Sequence, residues 1–368
     1  MTPESIAAEF KVPGQVVTVL NIETGNVNDT YRVIKRTTYS EVQFVLQRIS
    51  KAVFPRPDLV MSNMKAITDY GHQRLEEQVT SANRIWQLPK VISTLDGKDY
   101  FIDEKGNYWR ALSMIASATS HEKVMNVEHA FEAGYVLGHF QRIIADFPID
   151  QLEDTLPGFH ITPGYLEYHD KVVETDLAQQ KLSASSEARR IEAFIQERRE
   201  FVPILEDALA RNELTLRPIH GDPKITNIMI DDITGKGTAI IDLDTVKPGL
   251  IHYDFGDSVR SACNPGGEEA KDLTQVFVDL DSFEALVRGY LKQAGNFLTG
   301  WDRKYLYDSV RLITFELGLR FFSDYLAGDV YFKTKYQSQN LNRGRVQMKL
   351  CESIETRESM MRRVLESV

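Results

Sequence analysis

Cysteine is nearly missing from this sequence: Cys263 and Cys351 are its only two. They supply no disulfide framework and no ligand spacing for a structural zinc, so a reducing cytoplasm is the expected compartment. Basic excess is missing as well. Lys and Arg number 43 against 53 Asp and Glu, a formal net charge of -10, and no dense Lys/Arg run occurs, which argues against nucleic acid as a partner. Long apolar runs are also lacking: none approaches the length that spans a bilayer, and Met1-Thr2-Pro3-Glu4-Ser5 lacks the basic start and apolar core of a secretory signal. The chain therefore reads as unanchored, with no membrane partner, no internal repeat and no low-complexity tract. What is there, 368 residues of which 42% are hydrophobic and 26% charged, suffices to bury one large domain or two packed lobes.

Hydrophobic periodicity divides the chain in two. From Gln15 to Ser50 the apolar residues come in short runs, Val16 to Leu20, Tyr31 to Ile34 and Val42 to Ile49, with a turn-rich segment over 23–30 between the first two. This pattern predicts strand, loop, strand, strand. Pro55 and Pro57 introduce a helix whose Val60, Met64, Ile67 and Tyr70 fall three or four apart, and Tyr100 to Ile102 and Tyr108 to Ile115 return to strand spacing. Helical spacing dominates afterwards. Phe131, Tyr135, Leu137, Gly138, Phe140 and Ile144 give an apolar face to a helix following Asn126. A further helix is expected from Ser185 to about Arg211, and three more in the C-terminal third. The stretch from Leu156 to Gly164 is loop-like and of a length that often lines a site. The expectation is an α+β chain of two lobes: a β-rich N-terminal lobe over residues 1–115, a mainly helical C-terminal lobe over residues 116–368, and a ligand cleft between them.

The chemistry concentrates in Arg217-Pro218-Ile219-His220-Gly221-Asp222-Pro223-Lys224-Ile225-Thr226-Asn227 and in Ala239-Ile240-Ile241-Asp242-Leu243-Asp244-Thr245. The runs Ile228 to Ile230 and Ala239 to Ile241 flank the turn Thr234-Gly235-Lys236-Gly237, which predicts a β-hairpin that brings Asn227 and Asp242 together. Mg²⁺ prefers oxygen ligands, one or two from the protein and the rest from phosphates and water. Asp222, on the loop entering the hairpin, is placed to accept a proton from an attacking hydroxyl, and Lys224 to hold the transferring phosphate as a point charge. Phosphoryl transfer needs this division of labour, because positioning and electrostatics do most of the catalytic work.

His220-Gly221-Asp222, Asn227 and the following Ile241-Asp242 together resemble the catalytic signature of the aminoglycoside phosphotransferase and choline kinase superfamily, relatives of the protein kinases. The resemblance implies a protein-kinase-like bilobal fold using ATP and Mg²⁺, with Asp222 as base and Asn227 and Asp242 as metal ligands. Further blocks, Gly25 to Tyr31, Phe44-Val45-Leu46-Gln47-Arg48, Asp254-Phe255-Gly256-Asp257-Ser258 and Gly318 to Phe321 through Gly328 to Phe332, resemble the N-acetylhexosamine 1-kinases over nearly the whole chain. That finer resemblance implies transfer of the γ-phosphoryl group to the anomeric hydroxyl of an amino sugar, N-acetylglucosamine or N-acetylgalactosamine. It assigns Gly25 and Thr30 to the nucleotide, Met114 and Ile115 to adenine, Arg320 and Tyr331 to the sugar, and Asn28 to the sugar or the phosphates.

Two departures stand out. Gln47 occupies the strand position where a phosphate-binding lysine is expected, and Arg48 alternates to the opposite face, so Lys224, a residue elsewhere or the metal must carry the phosphate charge. Gly25 is also the single glycine of a loop that in protein kinases has three. Simpler roles stand beside the sharper ones. His220 is read as orienting its loop rather than shuttling protons. Asp254-Phe255-Gly256 spells the protein-kinase metal-binding tripeptide, but it comes too far downstream, and Asp254 is read as a buttress of the catalytic loop. Asp244 contacts either a second metal or the adjoining loop. Arg320 contacts the sugar or pairs with Asp324, its i+4 neighbour, Tyr331 contacts the sugar or simply packs, and Met114 and Ile115 frame adenine or fill the core. Two rival functions remain: a kinase of an amino alcohol, homoserine, another sugar or an aminoglycoside, and a nucleotide-binding pseudokinase supported only by the missing lysine.

Overall fold

The three β-branched runs at the start of the chain pair into an antiparallel meander, β1 (Gln15–Ile22), β2 (Asp29–Arg36) and β3 (Glu41–Arg48). They are seen in a computed structural model that describes residues 1–22, 27–77 and 84–368. With β4 (Val91–Ile92), β5 (Phe101–Ile102) and β6 (Tyr108–Ser113) they form a six-stranded sheet of order β1-β2-β3-β6-β4, in which β5 also pairs with β6. Strand alternation sorts its two faces. Val33, Phe44, Leu46, Trp109 and Ala111 join Ile6 and Ala7 of α1 (Pro3–Ala8) and Phe10 just after it in one buried cluster. The register sets Gln47 between Thr30 on β2 and Arg110 on β6, and alternation turns all three to the opposite face.

Pro57 opens α2 (Pro57–Glu77), whose Val60, Met61, Met64 and Ile67 share one continuous core with the helical half of the molecule. Asn63 fixes that docking. Its Nδ2 donates to the carbonyls of Glu153 (2.8 Å) and Val246 (2.9 Å), and its Oδ1 accepts from Glu153 N–H (2.9 Å).

Past Ser113 the chain changes partners. β7 (Ala118–Ser120) leads to α3 (Val127–Ile144), α4 (Thr162–Val173), α5 (Asp176–Ala184), α6 (Ser186–Gln196) and α7 (Ile204–Ala210). Four short strands follow, β8 (Arg217–Ile219), β9 (Ile228–Asp231), β10 (Gly237–Ile240) and β11 (Lys247–Gly249), with β7-β9-β10 forming one small sheet and β8-β11 another. The chain ends in α8 (Ile251–Ala262), α9 (Leu280–Ala294), α10 (Gly300–Lys304), α11 (Leu306–Ala327), α12 (Gln339–Thr356) and α13 (Glu358–Ser367). α3 and α9 cross closely because glycines stand at the crossing: a Cβ on Gly134 would meet Leu286 O at 2.0 Å, and one on Gly289 would meet Phe131 O at 2.0 Å.

Two expectations change. The single helix expected from Ser185 to about Arg211 is α6, a 3-10 turn over Arg199–Phe201 and α7, with Pro203 capping α7 because its ring and missing N–H are not accommodated in a helix interior. The C-terminal third holds six helices rather than three. The longest of them, α11, is buried on nearly every side, so its sequence shows no amphipathic face to mark its limits. No helix among the described residues is long and apolar enough to cross a membrane.

Candidate active site

The loop between β8 and β9 carries His220, Gly221 and Asp222, and hydrogen bonds to its backbone hold it. Asp254 on α8 is fully buried beneath it. Its Oδ1 accepts from Gly221 N–H (2.8 Å), and its Oδ2 accepts from His220 N–H (2.9 Å) and from the Gln141 amide of α3 (3.1 Å). His220 Nε2 donates to the Ile241 carbonyl (2.9 Å), while its Nδ1 accepts from Asp222 N–H (3.2 Å). Those two bonds assign the ring proton to Nε2, and burial lowers the pKa, so the ring is a neutral strut between hairpin and loop. Gly221 sits at φ +86°, where a Cβ would stand 2.6 Å from Thr245 O. No other residue fits there without moving the loop.

The hairpin sets the next two groups. β9 and β10 pair Ile228 with Ile240, and Ile241 N–H donates to the Asn227 carbonyl (2.9 Å), so Asp242 follows directly beside Asn227. Asn227 Nδ2 donates to the Asp222 carbonyl (2.7 Å), which orients the amide and leaves Oδ1 for a cation. Asp242 holds a left-handed backbone, φ +67° and ψ +56°, of the kind that persists at functional sites when the surroundings dictate it. Asp242 is exposed to solvent yet crowded by charged neighbours, Asp244, Lys224 and Asp222. Desolvation and then the Asp244 carboxylate raise its pKa, against the pull of Lys224. Such a crowded carboxylate suits a divalent cation. No group of three or more His, Cys, Asp or Glu side chains placed to hold a metal occurs among the described residues, so a cation at Asn227 and Asp242 would draw its other ligands from phosphate and water, as Mg²⁺ commonly does. Lys224 Nζ lies 2.6 Å from Asp222 Oδ2. Burial works against its charge, but the Asp222 and Asp242 carboxylates outweigh it and raise its pKa.

Asp244 reaches across to the sheet. Its Oδ2 accepts from Asn28 Nδ2 (2.6 Å), whose Oδ1 accepts from Ser50 N–H (3.0 Å), and its Oδ1 pairs with Arg110 Nη2 (2.5 Å). Arg110 Nε and Nη2 both donate to Gln47 Oε1 (2.9 and 2.7 Å), and Gln47 Nε2 donates to Thr30 Oγ1 (3.1 Å). Thr30, Gln47, Arg110, Asp244 and Asn28 thus form one polar chain. Arg48, on the other face, pairs with Asp29. Gly25 lies outside the described residues. At the crossing from sheet to helices, Ile115 is buried and Met114 is 38% exposed. Gln87 clamps the next residue, accepting from Ala116 N–H (2.8 Å) and donating to its carbonyl (2.9 Å).

On α11 the Arg320 guanidinium is framed by the rings of Tyr165 (4.8 Å), Phe159 (5.2 Å) and Phe332 (5.6 Å). Its nearest carboxylate is Glu316, at 3.7 Å, one turn earlier. Asp324, the partner expected from the sequence, instead accepts from the backbone N–H groups of Val330 (2.9 Å), Tyr331 (2.8 Å) and Phe332 (2.9 Å) and from the Asn340 amide (3.0 Å). It shapes the loop on which Tyr331 stands, 59% exposed and edge-on to Phe332.

Sequence reasoning missed His160 and Arg110. His160, buried at φ +66°, bonds the Gly221 carbonyl through Nε2 (2.8 Å) and Glu316 Oε1 through Nδ1 (3.0 Å). Two acceptors call for an imidazolium. Burial opposes that charge, but Glu316 outweighs it and raises the pKa. His160 therefore ties the catalytic loop to the helix that carries Arg320. A lone histidine in a loop carries no motif, whereas Arg110 left a signal: a charge between Trp109 and Ala111 in an otherwise apolar strand.

The profile of the Phosphotransferase enzyme family (APH) matches residues 18–306. Among solved structures, an aminoglycoside phosphotransferase from Alicyclobacillus acidocaldarius is similar at a TM-score of 0.61 and 13% identity, over 100% of this chain and 97% of that one. The microcompartment-associated aminopropanol kinase gives 0.59 and 16%, over 98% and 97%. A choline kinase from Cryptosporidium parvum gives 0.57 and 12%, over 94% and 91%. At such identities the likeness is one of fold: α+β and kinase-like, with a sheet-bearing N-terminal region and a helical C-terminal one.

Proposed function

The chain belongs to the Phosphotransferase enzyme family, as an ATP-dependent transferase with a hydroxyl acceptor, and from that premise we propose that it moves the γ-phosphoryl group of ATP to the anomeric hydroxyl of an N-acetylhexosamine. Residues 1–115 serve as the nucleotide lobe and residues 116–368 as the catalytic and acceptor lobe, with Met114 and Ile115 against adenine at the crossing. Asp222 accepts the proton of the attacking hydroxyl, and Lys224, paired with it, steadies the phosphate. Mg²⁺, held by Asn227 and Asp242, supplies charge neutralisation at the phosphates. The buried free thiols Cys263 and Cys351 suit a reducing cytoplasm.

The charge balance around Arg320 carries the acceptor class. Of the carboxylates that reach this region, Glu316 is engaged by His160, Thr162 and Arg320 and Asp324 by three backbone N–H groups and Asn340, while Asp257 gives Oδ1 to Arg260 and keeps a buried Oδ2 without a hydrogen-bond partner among the described residues. A cationic acceptor of the choline or aminoglycoside kind would need more free carboxylate there than the one buried oxygen of Asp257. A guanidinium beside the exposed Tyr331 suits an uncharged ring bearing hydroxyl and amide groups, and this supports the hexosamine reading. The test is ADP release over a panel of N-acetylhexosamines, plain hexoses, aminopropanol, choline, homoserine and aminoglycosides. Turnover confined to N-acetylhexosamines with a sugar 1-phosphate as product supports the proposal, and turnover with a cationic acceptor alone overturns it.

A further inference from the structure

Protein kinases hold the ATP phosphates with a lysine on the third strand of the sheet, itself fixed by a glutamate on the following helix. Here β3 carries Gln47, and the polar side chains that α2 buries are Asn63, engaged with Glu153 and Val246, and Thr68, which donates to the Lys65 carbonyl. We propose that Arg110 is the phosphate-anchoring cation of this enzyme, moved one strand over from β3 to β6, and that Asp244 takes the part of the helix glutamate.

Sheet register carries the argument. Gln47 and Arg110 are direct cross-strand partners, so their side chains leave the sheet side by side on the face away from the α1 core. The other cations of β2 and β3 are committed elsewhere. Lys35 donates to the carbonyls of Phe10 (3.2 Å) and Val12 (3.1 Å), Arg32 is bound to Gln43, Arg36 to Glu41, and Arg48 pairs with Asp29 on the far face. Arg110 is fully buried, and while Nε and Nη2 are used by Gln47 and Asp244, Nη1 has no hydrogen-bond partner among the described residues. A buried donor without an acceptor marks a missing partner. Its position one side chain from Asp244, two residues after Asp242, makes a phosphate oxygen of the bound nucleotide the fitting one.

Gln47 then has a positive reason to be an amide. Its oxygen accepts two bonds from Arg110 and its nitrogen donates to Thr30, so it aims the guanidinium, whereas a lysine there would set two cations side by side. Asp244, joined also to Asn28, holds the other edge. The missing strand lysine is thus a relocation and not a sign of a lost activity.

The inference rests on ATP as the donor, and the test separates the two. Titration calorimetry of the full chain with MgADP and with adenosine is compared for the parent, for Arg110→Met/Asp244→Asn, which removes both buried charges, and for Gln47→Lys/Arg110→Met, which returns the cation to β3. A parent that binds no MgADP removes the nucleotide premise itself. With the premise intact, the neutral double variant should bind MgADP about 10- to 100-fold more weakly, the loss expected for a charge-assisted bond, with adenosine affinity unchanged. The relocated lysine should recover most of the loss. Unchanged MgADP affinity in the neutral variant, or equal weakening of MgADP and adenosine, overturns the proposal. If the neutral variant fails to fold, the relocated lysine decides alone: MgADP binding near the parent's upholds the assignment, and MgADP binding no tighter than adenosine's overturns it.

Discussion

The two sides of the cleft are built on opposite plans. On the helical side, Asp222 rides on a loop whose backbone is tied from several directions: Asp254 takes the His220 and Gly221 N–H groups, His160 takes the Gly221 carbonyl, and Thr245 Oγ1 donates to the His220 carbonyl (2.8 Å). On the sheet side, Thr30, Gln47 and Arg110 are linked to one another and to Asp244 through side chains alone. A backbone so anchored keeps its place before substrate arrives, whereas a row of side chains rearranges when a phosphate offers a better acceptor. Proton transfer demands the first, because a base must stand within hydrogen-bond reach in a fixed orientation. A cation that neutralises charge needs only to be near.

The largest effect should come from breaking the rigid side at its tightest point. Gly221→Ala puts a Cβ at a left-handed backbone position against Thr245 O, and a displacement near 1 Å is enough to cost about a hundredfold in turnover. Steady-state kinetics should show that fall in kcat, with a smaller change in adenosine affinity because the adenine side at Met114 and Ile115 does not touch this loop. Near-parent turnover would mean the loop is not held as described. Next comes Asp254→Asn, which turns into a donor one of two oxygens that together receive three N–H donors. Urea denaturation should show a loss of about 1–3 kcal/mol, and an unchanged midpoint would remove Asp254 as the anchor of the loop.

Arg320→Ala sharpens the contrast between nucleotide and acceptor. It should raise KM for the acceptor about tenfold and leave KM for ATP unchanged; a change in the ATP constant instead would move Arg320 off the acceptor side. The smallest effect concerns Glu206, behind the catalytic loop. Its Oε1 accepts from Tyr253 OH (2.9 Å), the Tyr253 ring stacks on His160, and its Oε2 is buried without a hydrogen-bond partner among the described residues. Burial first, with Glu316 and Asp207 adding to it and the Tyr253 bond opposing, raises its pKa from 4.5 to about 7. The folded state therefore holds a proton that the unfolded chain releases near 4.5, and stability falls as pH rises through that window. Glu206→Gln should melt about 1–3 °C above the parent at pH 8 and show no gain at pH 5. An equal shift at both values would exclude titration as the cause.

What the sequence makes legible follows the same division. The catalytic loop and hairpin lie in one continuous stretch, so their spacing announces them, and the meander of β1 to β3 reads directly from alternation. The polar chain across the cleft draws Asn28, Gln47, Arg110 and Asp244 from four separate segments, and only the register of β3 on β6 shows that Arg110 stands beside Gln47. Arg320 offered two carboxylates one turn away, Glu316 and Asp324, and spacing alone does not say that Asp324 is consumed by the loop after α11. Its helix, buried all round, hides which face matters. The family match ends at residue 306, just where α11 begins, so the acceptor side is where motif spacing says least and geometry must say most.

The central claim is that Asp222 is the base of a phosphoryl transfer whose nucleotide site stands independently of it. The most direct test measures ADP release with N-acetylglucosamine and MgATP for the parent and Asp222→Asn, alongside MgADP affinity for both. Turnover should fall about a thousandfold with nucleotide affinity unchanged. Asp222→Asn turnover close to the parent's would contradict the claim.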